Sequence, residues 1–279
     1  QIGYDHTAYL GQTLKEIAGE KAGIVKATVP VVSDSQEQEA MDVISQKASA
    51  CNSPLSIYGR DFSSRLIEIN LRGIRFDYRD PSVQINDLSL PLTGIHQMIN
   101  ASLAIKAVLL SRFPVDLRMI REGLGTVRWP GRLELIHHDP PIIIDGAHNP
   151  AAAGALARAL QDVLKKAYGK IILICGIMGD KDIEGILRPL LPLAHDVILT
   201  SPAYARAASP ETLARAAESL GFRGHRTASS VGDAMEMGIR EARMAHPDSV
   251  LMVVTGSFYT IGEAKEFLGQ KGILTTLRE

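Results

Sequence analysis

Pro141-Ile-Ile-Ile-Asp145-Gly-Ala-His-Asn-Pro150 is the stretch on which the fold turns. Its three consecutive isoleucines form a short β-branched apolar run, the pattern of a strand buried on both faces. Asn149 followed by Pro150 is the chemistry of a helix start: an amide side chain suited to the N-cap, then a ring whose missing N–H is not needed at the first helical position. A strand running straight into a helix is half of a βαβ unit, and the chain downstream repeats it. Strands are expected at 170–175, 196–200, 223–227 and 249–255, with helices at 150–167, 182–191, 210–220, 231–245 and 258–268. This alternation predicts a mostly parallel sheet covered by helices on both faces, preceded by a strand at 132–136.

Working towards the amino end, Arg128-Trp129-Pro130-Gly131 interrupts all periodicity and marks a domain boundary, dividing the chain into residues 1–129 and 130–279. Upstream, Leu14, Ile17, Ala18 and Lys21 fall at helical spacing before a stop at Gly23, which puts Lys21 on an apolar stripe. A strand over Val29–Val32, a helix over Gln36–Ala50 and a strand over Pro54–Tyr58 follow. The pattern then changes to alternation, with Leu66–Leu71 and Ile74–Tyr78 joined as a hairpin at Arg72-Gly73 and a further strand near Val83–Leu90, a small antiparallel sheet. His96–Leu110 reads as a helix with Met98, Ala101, Ile105 and Val108 on one stripe and Gln97, Asn100 and Ala104 on the next. A second helix covers Leu117–Leu124.

Composition removes several classes of function. The 279 residues carry 30 basic and 31 acidic side chains, a net charge of -1, so no bulk positive field exists to hold a nucleic acid. The two cysteines, Cys51 and Cys175, exclude a disulfide framework and a cysteine-rich zinc site and fit a reducing cytoplasm. Apolar runs such as Ile171–Cys175 fall far short of the roughly 20 residues that cross a bilayer. The chain opens at Gln1 inside what reads as a strand-to-helix connection, so a fragment of a longer polypeptide is expected.

Ligands of parallel sheets collect beyond the carboxyl ends of the strands, and three such loops are chemically loaded. Asp145 and His148 stand where a helix offers free amides, suited to an anion; equally, Asp145 holds a turn and His148 is a surface histidine. Gly176-Ile-Met-Gly-Asp-Lys-Asp182 and Thr255-Gly-Ser257 each fit ligand contact or ordinary helix capping. At the amino end, Lys21 on an apolar stripe is either a reactive or modified amine or a lysine snorkelling at the core's rim, and His6 a structural histidine or a metal ligand. His137-His138-Asp139 reads as an exposed turn.

In the order in which they occur, Asp5-His6-Thr-Ala-Tyr-Leu-Gly11, Ile17-Ala-Gly-Glu-Lys21-Ala-Gly-Ile24, Leu92-Thr-Gly-Ile-His96-Gln97-Met-Ile-Asn100-Ala101, Pro130-Gly-Arg132-Leu-Glu134, Asp145 to Pro150 and Thr255-Gly-Ser257-Phe-Tyr resemble the folylpolyglutamate synthase/dihydrofolate synthase family of the Mur ligase superfamily. The resemblance implies part of a central ATP-binding domain over 1–129 and a Rossmann-like glutamate ligase domain over 130–279. It implies an ATP-dependent ligase that adds L-glutamate to a folate or to dihydropteroate through an acyl phosphate, working with Mg²⁺, cytoplasmic and monomeric in its full-length form. By position, Lys21 would be carbamylated and, with His6, hold a second Mg²⁺. Asn100, with Gln97 beside it, would face the adenine, Arg132 the phosphates, and Asp145 the ribose or its own neighbours. His148 and Ser257 would stand at the glutamate and acyl phosphate, with Arg206 for the glutamate carboxylates; Lys21, Asp145 and His148 would carry the catalysis.

One departure stands out. The family's glycine-rich phosphate loop ending in Gly-Lys-Ser/Thr is absent, since Gly169-Lys170 is followed by Ile171, and its expected place is before Gln1. The chain alone is therefore expected to be inactive. A Mur-type ligase of cell-wall precursors is the alternative within the superfamily; a nicotinamide oxidoreductase lacks its Gly-x-Gly-x-x-Gly after any expected strand.

Overall fold

Five strands at the carboxyl half, β7 (Pro141–Asp145), β8 (Lys170–Cys175), β9 (Asp196–Leu199), β10 (His225–Thr227) and β11 (Val250–Thr255), run parallel in a computed structural model that describes residues 2–3, 7–164, 168–245 and 250–270. A sixth, β6 (Glu134–His138), pairs antiparallel with β7, and the sheet order is β10-β9-β8-β11-β7-β6. The described residues divide into two compact units, one of Gln1–Ile69, Gly73–Pro91 and Ile95–Val127, the other of Asn70–Arg72, Leu92–Gly94 and Arg128–Glu279.

In the second unit, side chains alternate between two buried faces. Ile142, Ile144, Ile172, Ile174, Ile198, Met252 and Val254 join one core with Val231, Ala234 and Met235 of α9 (Val231–Met244) and Ile261 and Ala264 of α10 (Phe258–Phe267). Ile143, Leu173, Val197, Leu251 and Val253, one residue out of phase, are equally buried and belong to the opposite face. A strand covered on both sides needs apolar residues at every position, which is why these runs are continuous rather than alternating.

Chain direction places the remaining helices. From β7 the chain moves one way across the sheet to β8, β9 and β10 through α6 (Pro150–Leu164), α7 (Ile183–Leu187) and α8 (Pro210–Ser219), then returns through α9 to insert β11 between β7 and β8. Right-handed crossovers in opposite directions lie on opposite faces. At its carboxyl end β11 therefore sends α10 to one face while its neighbours β7 and β8 send α6 and α7 to the other, the topological switch at which parallel sheets open a crevice.

Two expectations shift here. The strand expected at 132–136 begins only at Glu134, because Gly131 and Leu133 have positive φ of 74° and 44° and turn the chain first. The helix expected over 182–191 is α7 followed by a single 3-10 turn at Leu191–Leu193. Pro189 and Pro192 each remove a donor and restrict the residue before them.

The first unit holds α1 (Thr7–Leu10), α2 (Leu14–Ala22), α3 (Gln38–Ala50), α4 (Ile95–Leu110) and α5 (Leu117–Thr126), a two-stranded parallel sheet and a three-stranded antiparallel one. The parallel pair is β1 (Val31–Ser33) and β2 (Leu55–Ile57). β1 starts two residues later than its apolar run suggests, after Thr28 at φ 61° and Pro30. The antiparallel sheet, β3 (Ser63–Asn70), β4 (Gly73–Arg79) and β5 (Gln84–Leu90), buries Ile74, Phe76, Tyr78, Ile85, Leu88 and Leu90. A glycine is required at the start of β4, since a Cβ on Gly73 would fall 2.2 Å from the Leu90 carbonyl oxygen.

Candidate active site at the switch point

The Pro130-Gly-Arg132-Leu-Glu134 segment is latched at three points. The Gly131 N–H donates to Glu134 Oε2 at 2.8 Å, the Gly131 carbonyl accepts from Gly146 N–H at 2.8 Å, and the Leu133 N–H donates to Asp145 Oδ2 at 3.0 Å. Glu134 is itself held by Lys265 of α10, Nζ to Oε1 2.7 Å. Arg132 sits in the middle of this latch, so the backbone that carries its guanidinium is fixed from both sides.

Asp145 ends β7 and uses both carboxylate oxygens on backbone donors, the second being the Ala147 N–H at 2.9 Å. It is only 6% exposed, and burial pushes its carboxyl up to about 6, against the opposing pull of the Leu133 N–H, the Arg132 charge and the Ala147 N–H. Its visible task is to organise its neighbours.

Asn149 caps α6 as its chemistry predicts, accepting the Ala152 N–H at 2.8 Å with Pro150 first in the helix. Just before it, the His148 ring nitrogen Nδ1 lies 2.8 Å from the Gly146 carbonyl oxygen. A carbonyl only accepts, so Nδ1 carries the proton and Nε2 is the ring's acceptor atom.

Across the switch point, Ser257 caps α10. Its hydroxyl accepts the Thr260 N–H at 3.1 Å and lies 2.8 Å from Thr260 Oγ1, whose own proton goes to the Gly176 carbonyl at 2.8 Å. Ser257 is 2% exposed, giving its proton to Thr260 Oγ1 and accepting the Thr260 N–H, and capping is its observed role. Phe258, the next residue, meets Arg132 (guanidinium carbon 5.6 Å from the ring centroid) and His148 (centroids 5.9 Å apart).

Arg206 follows β9. Its carbonyl accepts the Gly179 N–H at 2.8 Å and Ala208 N–H donates to the Ile177 carbonyl at 2.9 Å, which ties this segment to the loop after β8. The guanidinium lies over Tyr204, 5.3 Å from its centroid, and donates to its hydroxyl at 3.2 Å. Tyr204 in turn stacks on Tyr259 with centroids 3.9 Å apart. In the β8 loop, Asp182 caps α7 through the Gly185 N–H at 2.8 Å.

In the first unit, Gln97 and Asn100 are neighbours one turn apart on α4, Asn100 Nδ2 donating to Gln97 Oε1 at 3.2 Å, with Gln97 buried and Asn100 exposed. The apolar stripe expected to include Lys21 does not. Ile17, Ala18 and Ala22 are the buried residues of α2, and Lys21, on the flank of that stripe, is exposed. Its side chain lines a cavity of about 310 Å³ with Ile24, Val25, Val29, Val31 and Ile44, where an aliphatic stem rests on apolar surface and the charge stays in water. His6 lies outside the described residues. Among those described, no three of His, Cys, Asp and Glu stand close enough together to hold a metal ion. His137, expected in an exposed turn, lies within β6 one residue before its end, with Nδ1 2.9 Å from the Pro140 carbonyl oxygen.

Phe258, Tyr204, Leu133 and Glu134 gave no signal of their own in the sequence, because what each does here depends on partners distant in the chain.

This arrangement has relatives. Residues 131–258 match the family model of the Mur ligase glutamate ligase domain. Over 96% of its length it is 32% identical to the folylpolyglutamate synthase of Lacticaseibacillus casei and 32% identical to the dihydrofolate synthase/folylpolyglutamate synthase of Mycobacterium tuberculosis, covering 60% and 59% of those proteins. Among solved structures, the Mycobacterium tuberculosis folylpolyglutamate synthase complexed with ADP aligns with 97% of this chain at a TM-score of 0.85 and 32% identity, with 62% of that chain covered. E. coli FolC in complex with DHPP and ADP aligns at 0.81 and 27% identity over 96% of this chain and 60% of that one. The chain thus spans about 60% of the length of the curated relatives it matches. Among the described residues no helix is long and apolar enough to cross a membrane.

Proposed function

We propose that this chain supplies the amino-acid end, and part of the nucleotide end, of an ATP-dependent ligase that joins L-glutamate to a folate or to dihydropteroate. The observation that carries this reading is the latched Arg132 at a switch point where Asp145, His148 and the amino ends of α6 and α10 converge. Arg132, whose guanidinium has no ion pair among the described residues, is the cation for nucleotide phosphates; Asn100, with Gln97 beside it, offers an amide edge to the adenine.

In such a ligase the substrate carboxylate attacks the γ-phosphorus and ADP leaves. The amine nitrogen of glutamate then attacks the acyl carbon, the C–O bond breaks, and phosphate departs. Nε2 of His148 accepts from the incoming amine and orients it, and the first turns of α6 and α10 present backbone N–H groups to the carboxylate and the departing phosphate. Asp145 holds the latch that aims Arg132. Arg206, splayed on Tyr204, takes a glutamate carboxylate. Ser257 keeps the amino end of α10 in place.

Mg²⁺ would offset phosphate charge. By position, a carbamylated Lys21 and His6, which lies outside the described residues, would hold it.

Incorporation of labelled L-glutamate, with ATP, into tetrahydrofolate or dihydropteroate by the natural full-length polypeptide tests the reading. Glutamate-dependent ADP formation with either acceptor is expected. Turnover only with a UDP-muramyl acceptor and alanine or meso-diaminopimelate would replace this reading with the cell-wall one.

A further inference from the structure

Phe258 is the one side chain in contact with both Arg132 and His148 among the interactions described above. Its ring is pinned. The backbone before it is set by Gly256 at φ 107° and by the Ser257 cap, and the ring packs against the core formed by β7, β11 and α9. Its edge also lies hard against the β7 loop: a Cβ on Gly146 would fall 2.8 Å from Phe258 Cε1 and Cζ, so glycine is needed there for the ring to reach this position.

The two residues it touches depend on it differently. The backbone of Arg132 is latched, but its guanidinium has no ion pair among the described residues, so the ring face is what orients it. A guanidinium lying over an aromatic face keeps its N–H edge open for two phosphate oxygens. The His148 imidazole is fixed at Nδ1 by Gly146, the same residue that the ring presses on, so a shift of the ring moves both ends of that hydrogen bond.

We propose that Phe258 is a positioning residue, one ring that sets the guanidinium of Arg132 and the imidazole of His148 together. Its importance for ligation rests on the function proposed above; its geometric role does not.

The test is a set of variants, Phe258→Leu, Phe258→Tyr, Arg132→Ala and the Phe258→Leu/Arg132→Ala pair, read by side-chain NMR and by ADP affinity in the full chain. Leucine keeps apolar bulk and removes the ring; tyrosine keeps the ring. In the NMR arm, the Arg132 Nε–H and His148 ring resonances carry the ring-current shift of Phe258 in wild type and in Phe258→Tyr, and lose it in Phe258→Leu. Unchanged resonances in a folded Phe258→Leu overturn the proposal whether or not ADP binds. In the affinity arm, Phe258→Leu weakens ADP binding by about two- to five-fold, the size expected of a partly exposed cation–π contact, and has no further effect once Arg132 is alanine. A full-sized effect in the Arg132→Ala background also overturns it. Absence of ADP binding, or an Arg132→Ala variant that binds as well as wild type, contradicts the functional reading instead and leaves the NMR arm to decide on Phe258.

Discussion

Asp145 Oδ2 accepts the backbone N–H of Leu133 at 3.0 Å, and Leu133 has a φ of 44°, in the left-handed region that a branched side chain seldom adopts. The carboxylate of one motif thereby holds the strained backbone of the other, and Arg132, between the strained residue and Gly131, is aimed by the result. Removing that acceptor should loosen the turn. Asp145→Asn puts an NH₂ where one of two N–H donors now finds an oxygen. We expect a loss of about 1–3 kcal/mol in urea unfolding, with Asp145→Ala at least as severe.

Titration separates two buried carboxylates. Burial raises Asp145 to about 6. Its folded state therefore holds the proton more tightly than the unfolded one, and its contribution to stability falls as pH rises from about 4 to about 6, by on the order of 3 kcal/mol, then stays flat. Asp80 in the first unit is the opposite case. Burial would raise it, but hydrogen bonds from Ser82, Lys106 and Val83 prevail and bring it down to about 2, so its contribution is present above about 4 and is lost as pH falls towards 2. Carboxyl-carbon NMR should find Asp145 titrating near 6 and Asp80 near 2; the reverse order would contradict the described environments.

Glycine substitutions should rank by what their Cβ meets. On Gly256 it would fall 2.5 Å from the Gly176 carbonyl oxygen at a φ of 107°, and neither backbone can move without breaking the β11 end. Gly256→Ala should cost about 3 kcal/mol or more. On Gly146 the nearest atoms to a Cβ belong to the Phe258 ring, at 2.8 Å, a side chain that can be displaced from its packed position at a cost, and about 1–3 kcal/mol is expected for Gly146→Ala from thermal unfolding.

Lys21 offers a clean separation of stability from function. It is exposed on α2 and has no packing role in that helix's buried stripe. Lys21→Ala should therefore unfold within about 0.5 kcal/mol of wild type, while abolishing ligation in the full-length polypeptide if its carbamylated form holds Mg²⁺. Intact mass under CO₂ reports the modification directly.

The central strands β7, β8, β9 and β11 were legible because they are buried on both faces, and burial of that kind leaves continuous β-branched runs such as Ile142–Ile144. Helix starts were legible at Asn149-Pro150 and Ser257 for the same local reason, that a cap is a property of two or three residues. What was not legible is set by distant partners. Glu134 begins its strand late because Asp145 takes the Leu133 N–H; Lys21 falls off the buried stripe although its spacing fits it; and Phe258, an ordinary apolar residue in sequence, meets Arg132 and His148 from strands that only the β7–β11 pairing brings together.

Steady-state kinetics of Arg132→Ala and His148→Ala in the full-length polypeptide ask most directly whether this switch point joins a nucleotide to an amino acid. Arg132→Ala should raise KM for ATP by about tenfold or more, as loss of a charge-assisted contact does, with KM for L-glutamate little changed. His148→Ala should fall instead on L-glutamate and on kcat. Both variants keeping wild-type constants for ATP and L-glutamate would contradict the assignment of this site.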